Sequence, residues 1–426
     1  MARQEGLPLT ESKKPRFVYG YIVVFAAFIM IVLAWGTFFS FGIFFNPLLI
    51  EFGWTRAVTS GAFTLASLIL GFLSIVTGRL SDRFGSRIVA TICGFILGLG
   101  FILMSQISAI WQLYLFYGVI VATGIAGCWA PLIATVARLF VNRRGLMIGI
   151  VTSGVGLGTV IIPLVAARLI SSHGWRTSYI ILGIIVLVLI ISAAQFLRRA
   201  PRQIGQLPYD ENEIKQESLA SEARGFSLVE ASHTRQFWMS CVMYFCFGFF
   251  SHTITVHIVP HATELGIPPI SAANILAIIG GLGFIGRIIV GSASDRIGIK
   301  SSLIFVFILV SAVLFWLQLA EELWMLYLFA VIYGFTCAGL SALQSLMAAE
   351  LFGLGSLGII VGSLTFSFTT GGAIGALLAG HIFDITESYY IAFLVCAILS
   401  IVGFMLALFL RPVSNGGEMN DSRRSP

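Results

Sequence analysis

The chain is expected to be an all-α integral membrane protein, with twelve transmembrane helices in two pseudo-symmetric six-helix bundles. Three observations predict this. Hydrophobic residues make up 58% of the 426 residues and charged residues only 10%, with a mean hydropathy of +0.97, whereas soluble domains are roughly a quarter charged. The apolar residues gather into runs of roughly 20, the length that crosses a hydrocarbon core of about 30 Å at 1.5 Å per residue. The two halves also carry the same polar loop at equivalent places.

The runs fall at about 17–46, 57–78, 87–106, 110–136, 145–171, 177–198, 236–258, 271–292, 301–319, 323–349, 355–383 and 388–411. The longest polar interval, 199–234, is rich in Glu, Ser, Arg and Gln and separates six runs from six. The expected division is therefore a tail at 1–16, a bundle at 17–198, a linker at 199–234, a bundle at 235–411 and a tail at 412–426. The N-terminal tail has no small-residue cleavage pattern, so the first run reads as a retained span. If alternate loops share a side, the N-terminal side carries 21 lysines and arginines and the other only Arg56, Arg168 and Arg176. That asymmetry predicts both termini in the cytoplasm, and the short tails point to a plasma membrane, the inner one in a bacterium.

The net charge of +6 could suggest a nucleic-acid partner, but the basic residues collect in the loops of one side, where anionic lipid headgroups are the natural neighbours. The six cysteines all lie inside apolar runs without CxxC spacing and read as small packing residues. There is no nucleophile–base pair, metal-ligand cluster or phosphate loop in a supporting context, so an enzyme is not expected. No cofactor and no obligatory protein partner are implied.

The repeat is the segment Gly78-Arg-Leu-Ser-Asp82-Arg83-Phe-Gly85-Ser-Arg87 between the second and third runs. It returns as Gly291-Ser-Ala-Ser-Asp295-Arg296-Ile-Gly298-Ile-Lys300 between the eighth and ninth. Asp82 and Asp295 are separated by 295 − 82 = 213 residues, half the chain. Parallel repeats of this kind form a site at the interface between halves. Asp82 and Asp295 can pair with loop arginines or cap a neighbouring helix N-terminus. With Arg83 and Arg296 they are read as a conformational latch, not as ligands. Arg143 and Arg144, between the fourth and fifth runs, either hold orientation at the headgroups or join that latch.

Arg287 is the exception within the runs. It lies some four turns into the eighth, with no other charge in residues 273–290 and with Gly280, Gly281, Gly283 and Gly286 around it. Placing an arginine there costs about 2.5–3.5 kcal/mol on insertion scales, and the sequence offers no acid on the same helix. Arg287 either faces water and backbone carbonyls or faces a central cavity where the counter-ion is the substrate. A guanidinium matches a carboxylate with two parallel hydrogen bonds, and one fixed charge suits one carboxylate, because a dianion would leave a charge unpaired. The glycines around it read as helix packing.

The paired loop resembles the G-x-L-[SA]-D-R-x-G-R-[KR] signature of the major facilitator superfamily, and the likeness covers essentially the whole chain. Within it, the segment from Leu139 through Arg143, Arg144, Leu146, Gly149 and Gly154 to Gly158 is similar to the monocarboxylate transporter motif at the fifth span, with Met147, Val151 and Ser153 where that motif has alanines. Tyr19-Gly20-Tyr21 also resembles that family and its oxalate/formate exchanger relatives. The resemblance implies a substrate-binding arginine at Arg287 and a cavity lined by the first, fourth, seventh and tenth spans. Tyr117 and Tyr333 then become candidate hydroxyl donors, with an interfacial aromatic belt as the rival reading. Phe335 and Phe366 become candidate wall residues against the commoner fate of helix or lipid packing. The exchangers' second cation, a lysine, aligns with Leu364, which favours a lactate- or pyruvate-like acid over oxalate. Proton coupling is common in such transporters. The lysine and aspartate used by the animal branch align with Phe39 and Gly283, so His252 and His257 are the substitute proton sites, against a structural role for each.

The expected function is secondary active transport of a small monocarboxylate by alternating access, coupled to protons. An organic-anion or formate-type exchanger and a drug exporter are alternatives on the same fold. A non-translocating carboxylate sensor is the alternative of another class, and it would usually want an attached signalling domain.

Overall fold

The computed structural model describes residues 15–140, 143–197 and 225–411. The expected C-terminal tail, the expected N-terminal tail up to residue 14 and most of the expected linker lie outside those residues. Among the described residues all the regular structure is helical, and eleven helices are long and apolar enough to cross a membrane. One of them, Arg144–Ala194, has 51 residues and is interrupted at Gly174, whose φ of 76° and ψ of 163° are not helical. At 1.5 Å per residue it would extend about 75 Å, more than twice a bilayer core. It therefore crosses twice, as the fifth and sixth spans, and the crossings number twelve.

The first span runs over Pro15–Phe39 and, past a break at Ser40, continues as Phe41–Phe52. Thr37 and Ser40 turn their hydroxyls back onto the carbonyls of Leu33 and Thr37, each at 2.7 Å, the local bonding by which such residues bend a helix. The second is Arg56–Phe84 and the third Ser86–Met104. The fourth is built in pieces: Ile110–Leu113, a wide π-type turn at Tyr114–Val121, Ala122–Ala126 and, after a break, Ala130–Leu139. The seventh to twelfth are Arg235–Glu264, Pro269–Ile297, Ile299–Leu317, Leu323–Phe352, Leu357–Thr386 and Tyr390–Phe409.

The end of the expected linker is more ordered than its polarity suggests. Ser227 and Glu230 form a reciprocal capping box that starts a short helix, Leu228–Ser232, and the Phe226 N–H donates to the Phe352 carbonyl at 2.9 Å. The Ser-x-x-Glu spacing needed for that box is local and polar, so a search for apolar periodicity passes over it.

Glycines set the packing between helices. Gly36 meets Gly158, joining the first and fifth spans, and Gly98 meets Gly183, joining the third and sixth. Across the halves, the second span lies on the eleventh and the fifth on the eighth. In the first of these seams Gly78 abuts Gly358, Ser74 abuts Gly362, and Gly71 abuts Thr369. In the second, Gly291 abuts Gly145, Arg287 abuts Gly149, and Phe284 abuts Gly156. A methyl group on most of these glycines would overlap the facing backbone, so the halves are zipped tightly at the arginine-rich end. Each seam covers 8 residues of one helix and 12 of the other, roughly 10–16 Å. Beyond it Gly280 and Gly281 have nothing within contact distance, and the halves part.

Candidate functional site

Where the seams end, a cavity of about 340 Å³ lies between the two halves. Its walls come from eight spans: the first, second, fourth, fifth, seventh, eighth, tenth and eleventh. Beyond the expected first, fourth, seventh and tenth spans and the expected Arg287, the second, fifth and eleventh also line the cavity, because the spans that form the seams run on beside it.

Arg287 is on the cavity floor. Gly286 lets the eighth span press against the Phe335 carbonyl of the tenth, and Gly149 lets it press against the fifth, so the arginine is held between two neighbours. Its Nε donates to the Ser341 hydroxyl at 3.2 Å. Among the described residues, the ion pairs are Arg138–Asp82 and Arg176–Glu51, and no carboxylate lies within ion-pair distance of Arg287. The positive charge faces a cavity large enough for an organic anion without a protein counter-ion.

The rest of the wall divides by chemistry. The N-terminal half supplies Trp35, Phe38, Phe39, Phe63 and Trp129, with Ser67. These rings touch each other: Phe38 stacks on Phe63 at 4.6 Å between centroids, and Trp35 meets Trp129 edge-on at 5.4 Å. Both broken helices serve this wall. Phe38 and Phe39 precede the break at Ser40, and Trp129 is the non-helical residue before Ala130–Leu139, which restarts with proline in its first turn. The C-terminal half supplies Arg287, Ser251, His252, Thr255, Ser341 and Gln344 among others. His252 donates its Nδ1–H to the Gly248 carbonyl at 3.3 Å and meets Phe368 edge-on.

Several expected site residues lie elsewhere. Tyr117 is fully buried and does not line the cavity; its hydroxyl donates to the Phe38 carbonyl at 2.7 Å. Tyr333 is likewise buried behind the wall and donates to the Phe250 carbonyl at 3.2 Å. Each supports a wall helix through a backbone oxygen, which is where a phenol in an apolar interior finds its partner. Phe335 offers its carbonyl to the contact with Gly286, and its ring is outside the lining. Phe366 is 37% exposed and meets Phe72 edge-on at 6.5 Å, on the outer side of the seam. His257 is buried outside the cavity, between the Ala376 carbonyl at 3.0 Å and the Tyr389 hydroxyl at 3.3 Å. Of the two candidate proton sites, only His252 is at the cavity.

The latch residues sit at the closed end. Asp82 accepts the Gly358 and Ile359 N–H groups at 3.2 and 3.1 Å, capping the eleventh span, and receives Arg138 Nη2 at 2.6 Å. Asp295 accepts the Gly145 and Leu146 N–H groups at 2.7 and 2.9 Å, capping the fifth. Each aspartate thus holds the start of a helix from the other half, where backbone donors lack internal partners. The arginine that joins the latch is Arg138, which the sequence reading counted only as loop charge; it also reaches the Leu354 carbonyl across the seam at 3.1 Å. Arg144 binds the Ala137 and Phe140 carbonyls at 3.0 and 3.2 Å, finishing the fourth span. Arg143 precedes the fifth helix and is exposed, Arg83 lies over the Phe84 ring at 5.2 Å, and Arg296 is exposed.

The Major Facilitator Superfamily profile matches residues 26–321 and again 262–425. Monocarboxylate transporter 13 of Rattus norvegicus is 26% identical over 407 residues, which cover 92% of this chain and 89% of the rat protein. Monocarboxylate transporter 12 of Mus musculus is 28% identical over 362 residues, 80% of this chain and 74% of the mouse protein. Among solved structures, the human organic anion transporter MFSD10 superposes with a TM-score of 0.72 at 17% identity, covering 91% of this chain and 99% of that one. FucP in its outward conformation gives 0.71 at 18%, covering 93% and 100%; at these identities the likeness shows the fold. These relatives are membrane transporters and not enzymes. With its twelve crossings, its two zipped halves and a profile match over nearly its whole length, this chain belongs to the Major Facilitator Superfamily of transporters.

Proposed function

We propose that the protein is a secondary active transporter of a small monocarboxylate, and that Arg287 is the residue that holds the carboxylate. The observation that carries this reading is a cavity between two halves whose floor bears a guanidinium that pairs with no carboxylate among the described residues. An arginine away from the membrane surface is costly without a partner, and a carboxylate of the substrate removes that cost at the moment it binds. The similarity to monocarboxylate transporters 12 and 13 supports the same anion class.

The arginine-rich end is the cytoplasmic one on the positive-inside rule, which makes the conformation described here closed to the cytoplasm. Binding at Arg287 neutralises the floor, the seams open, and the halves rock about the site to release the acid on the other side. The proton is the coupling ion, and His252 is its carrier, as the imidazole that shares the cavity with Arg287.

Counterflow in proteoliposomes tests the reading. Wild-type protein should exchange labelled lactate or pyruvate, and Arg287→Gln should elute as a folded monodisperse protein yet lose at least about 100-fold in uptake rate, the scale of removing one member of a desolvated charge pair. Undiminished carboxylate uptake by Arg287→Gln would refute the assignment, and a panel of dicarboxylates and neutral drugs would identify an exchanger or exporter instead.

A further inference from the structure

The two walls of the cavity occupy equivalent places in the two halves, and the N-terminal one is the more aromatic while the C-terminal one carries the charge. The shift of 213 that relates Asp82 to Asp295 takes Phe38 to Ser251 and Phe39 to His252, and all four line the cavity. On the N-terminal side the lining is a set of touching aromatic rings: Trp35 meets Phe39 at 6.0 Å and Trp129 at 5.4 Å, while Phe38 stacks on Phe63 at 4.6 Å. On the C-terminal side every charged or titratable group of the lining is found, a guanidinium and an imidazole with an amide and hydroxyls, beside Phe247, Val256 and Phe368. A three-carbon acid displaces only about three to four water volumes, roughly 100 Å³. Held at Arg287, it would fill only a minor part of the cavity between the two walls.

We infer that the physiological substrate is an aryl-bearing monocarboxylate, with the carboxylate at Arg287 and a planar apolar body against Trp35, Phe39 and Trp129. This rests on the carboxylate reading of Arg287 and narrows it. A ring laid against aromatic side chains gains edge-on and offset contacts beyond its apolar burial, and a ligand with one charged end and one flat apolar end satisfies both walls at once. A small hydrophilic acid satisfies only one of them.

Lactate and 3-phenyllactate form a matched pair, sharing the carboxylate and the hydroxyl and differing by one phenyl group. In proteoliposome counterflow the wild-type KM for 3-phenyllactate should be at least about tenfold below that for lactate, the effect of a ring buried among aromatic partners. Trp129→Leu and Phe39→Leu, each checked for monodisperse elution, should narrow that ratio several-fold. Equal KM values, or a lower one for lactate, with both acids still dependent on Arg287, would overturn the aryl assignment and leave the carboxylate reading standing. Uptake of neither acid would overturn both. Uptake of phenyllactate that persists in Arg287→Gln would be simple permeation or a different site, and would overturn the inference as well.

Discussion

The N-terminal and C-terminal halves build their seams from contacts in the same order, and two of the positions at which they differ set an arginine against an uncharged side chain. The shift of 213 residues takes Asp82 to Asp295, Gly145 to Gly358, Gly149 to Gly362, and Gly156 to Thr369. Each contact in one seam therefore has its counterpart in the other: Gly78 on Gly358 against Gly291 on Gly145, Gly71 on Thr369 against Phe284 on Gly156. The first difference is Arg138, whose counterpart is Leu351; the second is Arg287, whose counterpart is Ser74. Ser74 is fully buried and spends its hydroxyl on the Leu70 carbonyl at 2.7 Å. So one half put its extra arginine into the latch, paired, and the other put its arginine into the cavity, unpaired. Symmetry makes the hinge, and the departures from it make a lock on one side and a binding site on the other.

The lock predicts the largest effect of substitution. Asp82 and Arg138 are 2.6 Å apart with side-chain exposures of only 13% and 22%, and Asp82 also caps the eleventh span. Asp82→Asn leaves Arg138 without its charge partner in a mostly desolvated place, a loss on the order of 3 kcal/mol. The conformation closed at this end should fall in population by about 100-fold relative to wild type, read as faster labelling of a cysteine placed in the seam at Ser74. Asp295 is exposed and makes only the cap. Asp295→Asn should cost about 1 kcal/mol and raise the same labelling rate by roughly fivefold. Equal effects at the two aspartates would mean that Arg138 adds nothing and that the halves are alike after all.

Most of the architecture was legible because a bilayer imposes simple rules. Span length, the sidedness of arginines and the doubled Asp-Arg loop are each set by local composition, and Arg287 stood out because one charge in a long apolar run has few explanations. The wall of the cavity was harder to read. The chain has 36 phenylalanines and 11 tyrosines, and in a helix surrounded by lipid and other helices apolar periodicity no longer tells which face looks inward. Phe39 and Trp129 stand beside the helix breaks at Ser40 and before Ala130, which no periodicity signals. Tyr117 and Tyr333 were drawn to the site by their hydroxyls, yet a phenol in a bundle can satisfy itself on a bent helix's carbonyl, as both do. Arg138 was hidden among the loop arginines; its distinction is a position at the seam, which the 213-residue shift could have exposed by setting it against Leu351.

The far end of the molecule repeats the contrast on a smaller scale and supplies the weakest test. There Glu51 accepts Arg176 Nη2 at 2.7 Å and the Trp175 indole N–H at 2.6 Å, tying the end of the first span to the start of the sixth. The same shift of 213 takes Glu51 to Glu264 and Arg176 to Tyr389, so the C-terminal half keeps the acid and lacks the cation. The hydrogen bonds from Arg176 and Trp175 hold the Glu51 carboxyl below the usual carboxylate range. A carboxyl lowered in the folded state adds stability above its unfolded value and loses it as the pH falls through its folded one. The pair is about two-fifths exposed on each side, so it is worth about 0.5 kcal/mol at most. Glu51→Gln should therefore lower the melting temperature slightly at pH 7. The gap to wild type should close as the pH drops below 4.5 and both side chains become neutral. Glu264→Gln should show no such loss at pH 7, because among the described residues no cation pairs with Glu264. A gap of the same size and pH dependence at both positions would break the asymmetry at this end, and a gap at Glu51 that persists in acid would mean that Glu51 acts through its shape and not its charge.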